Sequence, residues 1–204
     1  HKPWAVVAVS LTVYLLAPWF GWNLAAIKDG VWYFNPVVWQ LLFVLGGCYE
    51  KAGDMDQAIA AYTELLHQDA DPVRGAELRL RLGKLQESRN ALEEARVLYE
   101  EAANLDGGEF SARARFQLAA LYESGGDYEN AARNFMRLAI LYIHETLSPE
   151  ALWHAGNCYT RMNKPDQARS VFEELVADYP DSPFAKEAQA LLDQQKNIAP
   201  SKTE

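Results

Sequence analysis

LAALYESGGDYENAARNF, residues 118–135, is the stretch whose reading decides the fold. Its second half pairs a small residue, Ala131, with an aromatic one turn further on, Phe135, as expected of one helix face. Its first half carries Leu118-Ala119 on another helix, and Gly125-Gly126-Asp127 breaks the chain between the two. The small/aromatic pair recurs as Ala58/Tyr62, Ala95/Tyr99 and Ala168/Phe172, at spacings of 37, 36 and 37 residues. The upstream anchor recurs with it, as Leu45-Gly46, Leu82-Gly83 and Ala155-Gly156. Tyr49, Tyr122 and Tyr159 follow three residues later in three of the four registers. The second register departs twice, with Gln86 at the tyrosine and Asn90 at the turn glycine. Ala52-Gly53-Asp54 and Asn163-Lys164-Pro165 punctuate the first and last registers, and Pro165 suits the first position of the helix it opens. Small residues let two helices of a hairpin approach, while the aromatic fills the gap toward the next hairpin. Such pairs bury their apolar stripes only by stacking on neighbours.

This pattern resembles the tetratricopeptide repeat, ordinarily about 34 residues long, here with extra residues in the inter-repeat turns. The resemblance covers residues 39–180 and implies an all-α fold: a right-handed superhelix of about four helical hairpins. YPDSPFAKEAQALLDQQK, residues 179–196, then offers Asp181 or Ser182 as a cap and an amphipathic helix from Pro183 to about Lys196 that covers the last hairpin. Its YPDSPFAKEA portion is similar to bacterial envelope repeat proteins that serve outer-membrane assembly and cell-wall coordination. The repeat domain is therefore expected over residues 54–196, with a polar tail at 197–204.

Upstream, the composition changes. Residues 1–49 hold only Lys2, Lys28 and Asp29 as charges, but 11 of the 24 aromatic residues. Those three charges sum to +1, so the total of −9 leaves −10 for residues 50–204. A surface of that sign repels polyanions, which argues against nucleic acid as a partner. Pro3 to Ile27 is an uncharged run of 25 residues, long enough as a helix to cross a bilayer about 30 Å thick. Trp4 stands at one end, Trp19 and Trp22 at the other, where aromatic rings settle at the headgroups, and Pro18 ends or kinks the helix. The competing signal-peptide reading lacks a small-x-small cleavage site. Asn35-Pro36 then reads as a cap and first helical residue, so residues 1–35 are expected to be a membrane segment and loop. Residues 36–53 stay open between a second membrane helix and the first repeat helix.

SLTVYLLAPWFGWNL and WYFNPVVWQLLFVLGG resemble the OpgC family of membrane acyltransferases, most specifically at Trp32, Phe34, Asn35, Pro36, Trp39, Gln40, Phe43 and Gly46. The resemblance covers residues 4–47 and implies membrane segments joined by a short loop, associated in that family with succinylation of periplasmic glucans. It supplies no catalytic role, since residues 4–47 contain no His, Glu or Arg.

Cys48 and Cys158 share a repeat position too far apart for a disulfide and read as small core residues. His67, His144 and His154 lack metal-ligand spacing, the glycine pairs lack the Lys-Ser/Thr of a phosphate loop, and the Glu-Glu pairs read as solvated helix faces. No catalytic, cofactor or metal residues are expected. What remains is the groove lined by the first helix of each pair, where Phe43, Leu80, Phe116 and Trp153 form a ladder flanked by Lys84, Arg113, Asn157 and Arg161. Two readings stand: aromatic anchors for a protein or peptide partner, or packing between hairpins. A Lys/Asn clamp for a C-terminal carboxylate is disfavoured, because only Asn157 matches it. The sequence thus reads as a membrane-anchored, non-catalytic repeat scaffold facing the periplasm. Its alternative is a fragment or accessory module of an OpgC-like membrane acyltransferase.

Overall fold

The computed structural model describes residues 25–28, 31–34, 36–68, 71–106, 108–142 and 146–198. They fall into two units that divide between residues 69 and 70.

The first unit begins with a two-stranded antiparallel hairpin, β1 (Ala25–Lys28) and β2 (Val31–Phe34), in which Ala25 faces Phe34 and Lys28 faces Val31. The repeats are all-α as expected, but Ala25 to Ile27 are strand rather than the end of an apolar helix. The reason is legible in retrospect. Only Asp29-Gly30 separates the paired Lys28 and Val31, and Asp-Gly favours two-residue hairpins, while Val-Trp-Tyr-Phe is a strong strand former.

Helix α1 (Pro36–Ala52) follows, opened by a proline whose missing N–H costs nothing at that position, and it folds back on α2 (Met55–Gln68). Gly46 lies directly against the Tyr62 ring: a Cβ there would come within 2.5 Å of Cε1. Trp39 stacks on Phe43 at 5.1 Å, and Phe43 reaches Tyr62 at 6.0 Å. Residues 36–52 therefore form the first helix of a repeat hairpin. Among the described residues no helix is long and apolar enough to cross a membrane. The run at 3–24, with Trp4, Pro18, Trp19 and Trp22, lies outside the described residues, as do residues 199–204.

The second unit stacks three more hairpins: α3 (Pro72–Ser88) with α4 (Leu92–Ala103), α5 (Glu109–Ser124) with α6 (Tyr128–Leu141), and α7 (Leu147–Arg161) with α8 (Pro165–Asp178). Helix α9 (Pro183–Ile198) packs on α8 and α7 as the expected cover, two residues longer than read. Its Ala185, Ala188 and Leu192 join one core with Phe135, Leu138, Leu152, Phe172 and Leu175.

The turn inside each hairpin is one device used four times. Gly53, Asn90, Gly126 and Asn163 all have positive φ, between 56° and 80°. The next residue's N–H in each case donates to the carbonyl five positions back, as in Ala91 to Gln86 and Asp127 to Tyr122, both 2.9 Å. This is the Schellman ending of a helix, and asparagine tolerates its left-handed residue better than other side chains do. Asn90 is therefore the second repeat's turn residue and no departure. Asp71 and Asp127 start α3 and α6 by accepting from the N–H groups of Arg74 (2.9 Å) and Asn130 (3.1 Å). The Asn130 side-chain and backbone bonds hold the Asp127 carboxyl below the usual carboxylate range. Between hairpins, buried Ser111 donates to the carbonyls of Ala102 (2.7 Å) and Leu105 (2.9 Å), tying one hairpin's end to the next one's start.

The two cysteines part company. Cys158 is buried as expected, but Cys48 is exposed, and among the described residues no helical hairpin precedes α1. Burial, helped by the charge of Glu123, pushes the Cys158 thiol up to about 12, so it stays protonated and unreactive. With an aromatic disulfide reagent at pH 8, Cys48 is expected to react within the mixing phase of the assay. Cys158 should react only as fast as the fold opens, and two equally fast thiols would contradict its burial.

Candidate functional site

The first helices of the stacked hairpins, α3, α5 and α7, lie side by side in the second unit. Every residue of the predicted groove except Phe43, which is on α1, is on them. Leu80 is only 5% exposed and offers a partner almost no surface. Phe116 is partly buried, meeting Phe135 edge-on at 5.4 Å and His154 at 5.9 Å, so its ring fills the seam between two repeats. Trp153 is partly buried too, with its ring 5.5 Å from Phe172. Asn157 is half-buried, while Lys84, Arg113 and Arg161 are exposed, and Arg113 is engaged by Glu109 one turn earlier on the same helix. The ladder is thus an apolar floor of which Trp153 and Phe116 keep some surface, edged by cations from three repeats.

A polar series missed in the sequence sits near the end of the first helix of each hairpin. The Tyr62 hydroxyl donates to Glu50 (2.8 Å) and, one repeat on, the Tyr99 hydroxyl donates to Glu87 (2.7 Å). Burial, then Glu87, pushes the Tyr99 phenol well above its ordinary value, so it remains a donor throughout the accessible pH range. In the third repeat Phe135 has no hydroxyl to offer. Its equivalent carboxylate, Glu123, instead lies 2.8 Å from Nδ1 of His154, on the next repeat's first helix. His154 also stacks on Phe135 at 5.1 Å. The fourth repeat drops both partners: Thr160 stands at the glutamate position and donates to Gly156, opposite Phe172. The signal was available, since Glu50, Glu87 and Glu123 recur at the repeat spacing of 37 and 36 residues, each twelve before the aromatic. One buried cation was likewise missed. Arg115, 4% exposed, donates to the Ala103 carbonyl and to Asn134, linking α5 to the neighbouring helices.

Hairpins of paired small and aromatic residues, repeated with the same turn, define a tetratricopeptide-repeat scaffold. The comparisons agree: tetratricopeptide repeat models match residues 50–112, 112–139 and 150–182, and the chain is a tetratricopeptide repeat protein over that span. The OpgC protein model matches residues 1–70, which takes in the strand hairpin and the first helical hairpin. No curated protein is similar enough to count as a relative. Among solved structures, a tetratricopeptide repeat protein from Parabacteroides merdae superposes with a TM-score of 0.63 at 22% identity, over 78% of this chain and 60% of that one. MamA gives 0.56 at 24% identity, over 75% and 85%. The pilF protein of Pseudomonas aeruginosa gives 0.55 at 22%, over 78% and 69%. The chain spans about three fifths of the Parabacteroides protein. At these identities the likeness concerns the fold.

Proposed function

We propose that this chain is a membrane-tethered, non-catalytic scaffold that holds a protein or peptide partner along α3, α5 and α7. The observation that carries the reading is the partly open ladder of Phe116 and Trp153, rimmed by exposed Lys84, Arg113 and Arg161 in a chain whose net charge is −9. Large rings that keep some surface beside cations suit a peptide with an apolar anchor and acidic neighbours. The tether is the uncharged run at 3–24, upstream of the strand pair, and the envelope-like YPDSPFAKEA motif supports a periplasmic position for the repeats. The match over residues 1–70 favours one second reading, in which the repeats are a docking module belonging to an OpgC-like acyltransferase system.

The test is photocrosslinking from position 157 in the full chain expressed in bacterial membranes. The chain is expected to resist carbonate extraction and to give a discrete crosslinked partner, reduced at least tenfold by Lys84→Glu with Arg161→Glu or by Trp153→Ala. Equal crosslinking in all variants, or release by carbonate, would sink the corresponding half of the proposal. A crosslink to a multi-span acyltransferase would select the second reading.

A further inference from the structure

The second helices of the stack carry a separate surface. Between α6 and the turn that joins α7 to α8 lies an open depression of about 340 Å³. Met136, Ile140, Tyr159 and Met162 make its apolar part, and Ile140 is 69% exposed, the most exposed large apolar side chain among the described residues. Around it stand Arg133, Arg137 and Lys164, against a single carboxylate, Glu129.

The same place one repeat earlier shows what is unusual here. There, a depression of about 250 Å³ between α4 and the α5–α6 turn is lined by Glu93, Arg96, Tyr122 and Asp127, among others. Tyr122 corresponds to Tyr159, Glu93 to Glu129, and Asp127 to Lys164, so the repeat step reverses one charge. The earlier site satisfies itself: Arg96 is gripped by Glu93 and by Glu100 (3.2 Å), and Asp127 caps α6 through Asn130 (3.1 Å). In the later site Glu129 reaches only Arg133, at 3.4 Å between two well-exposed side chains. Neither Arg137 nor Lys164 has an ion-pair partner among the described residues. Burial, and then the charge of nearby Arg137, lowers the pKa of the Arg115 guanidinium behind the helix. Two uncompensated cations beside an exposed apolar floor, in a chain of net charge −9, specify their complement.

We infer that the α6/α7–α8 depression is a second docking surface, distinct from the Phe116–Trp153 ladder, for an acidic peptide segment that seats an apolar side chain between Ile140 and Met162 and sets its carboxylates on Arg137 and Lys164. An anionic membrane fits less well, because the rest of the surface would be repelled from it.

The probe is a short fluorescein-labelled peptide with acidic residues on both sides of a Leu-Phe pair, titrated with the full chain in detergent. Anisotropy is expected to rise saturably and to weaken as salt increases. Arg137→Glu with Lys164→Glu should weaken binding at least tenfold, and Ile140→Ser at least threefold. Both cations are exposed, so far-UV circular dichroism should not change. Lys84→Glu with Arg161→Glu, on the inner helices, should leave the affinity within twofold, which separates this surface from the groove. The inference fails if the probe does not bind or if the Arg137/Lys164 variant binds as well as wild type. It fails equally if a probe with glutamine at every acidic position binds equally, or if anionic vesicles are captured while the peptide is not.

Discussion

Phe172→Ala is expected to remove about 3–5 kcal/mol from the unfolding free energy of the repeat unit, the range for emptying a buried phenylalanine site. Phe172 is 1% exposed and lies where three elements meet: Gly156 of α7 beneath it, Trp153 beside it at 5.5 Å, and the core shared with α9 around it. The space left behind cannot collapse easily. Gly156 has no side chain to move into it. Urea unfolding followed by circular dichroism measures the loss. Phe172→Leu, which keeps most of the volume, should cost under about 1.5 kcal/mol. If the alanine variant lost less than about 1 kcal/mol, the ring would not be filling the seam assigned to it.

The second large effect comes from the other side of the same contact. Gly156→Val is expected to destabilise by roughly 1–3 kcal/mol or more through overpacking, because a Cβ at that position would stand 2.3 Å from Cε1 of Phe172. The ring is pinned by Trp153, so the helices themselves must separate. Alanine is the informative intermediate. It gains about 1 kcal/mol of helix propensity over glycine, yet still meets the ring. The third repeat shows the alternative solution, with Ala119 opposite Phe135 and both residues fully buried. Pairing Gly156→Ala with Phe172→Leu should therefore recover most of the loss, and the same fourfold cycle measured by urea titration gives the coupling. Independent, additive costs would contradict a direct contact.

The repeat was legible because each hairpin imposes the same physical demands on the chain. A small residue must face an aromatic, a left-handed residue must end the first helix, and both demands recur at fixed spacing. Where two residue types meet one demand, the reading wavered. Asn90 looked like a lost glycine although asparagine also accepts the left-handed turn. The strand pair at Ala25–Phe34 escaped because hydropathy overshadowed Asp29-Gly30, whose significance lies in backbone geometry. Residues 36–52 could not be assigned from sequence for a related reason. An apolar stripe with tryptophan and phenylalanine suits lipid and a neighbouring helix alike, and only the seat of Tyr62 on Gly46 distinguishes them. Of the candidate groove, the helix positions were readable, but how far each ring is covered was not. Coverage depends on the next repeat: Phe116 is partly closed by His154, a residue 38 positions further on.

The series of glutamates that changes partner along the stack has a bearing on cooperativity. In a linear array, each repeat has an intrinsic folding term and a coupling term to its neighbour. Glu87 bonded to Tyr99 contributes to the first kind, since both residues belong to one hairpin. Glu123 facing His154 contributes to the second, since it joins one hairpin to the next. With Phe135 and Phe172 replacing the tyrosines, the third and fourth repeats lean on each other more than on themselves. They are expected to melt as one unit, with the amides of α5 to α8 exchanging together in native-state hydrogen exchange.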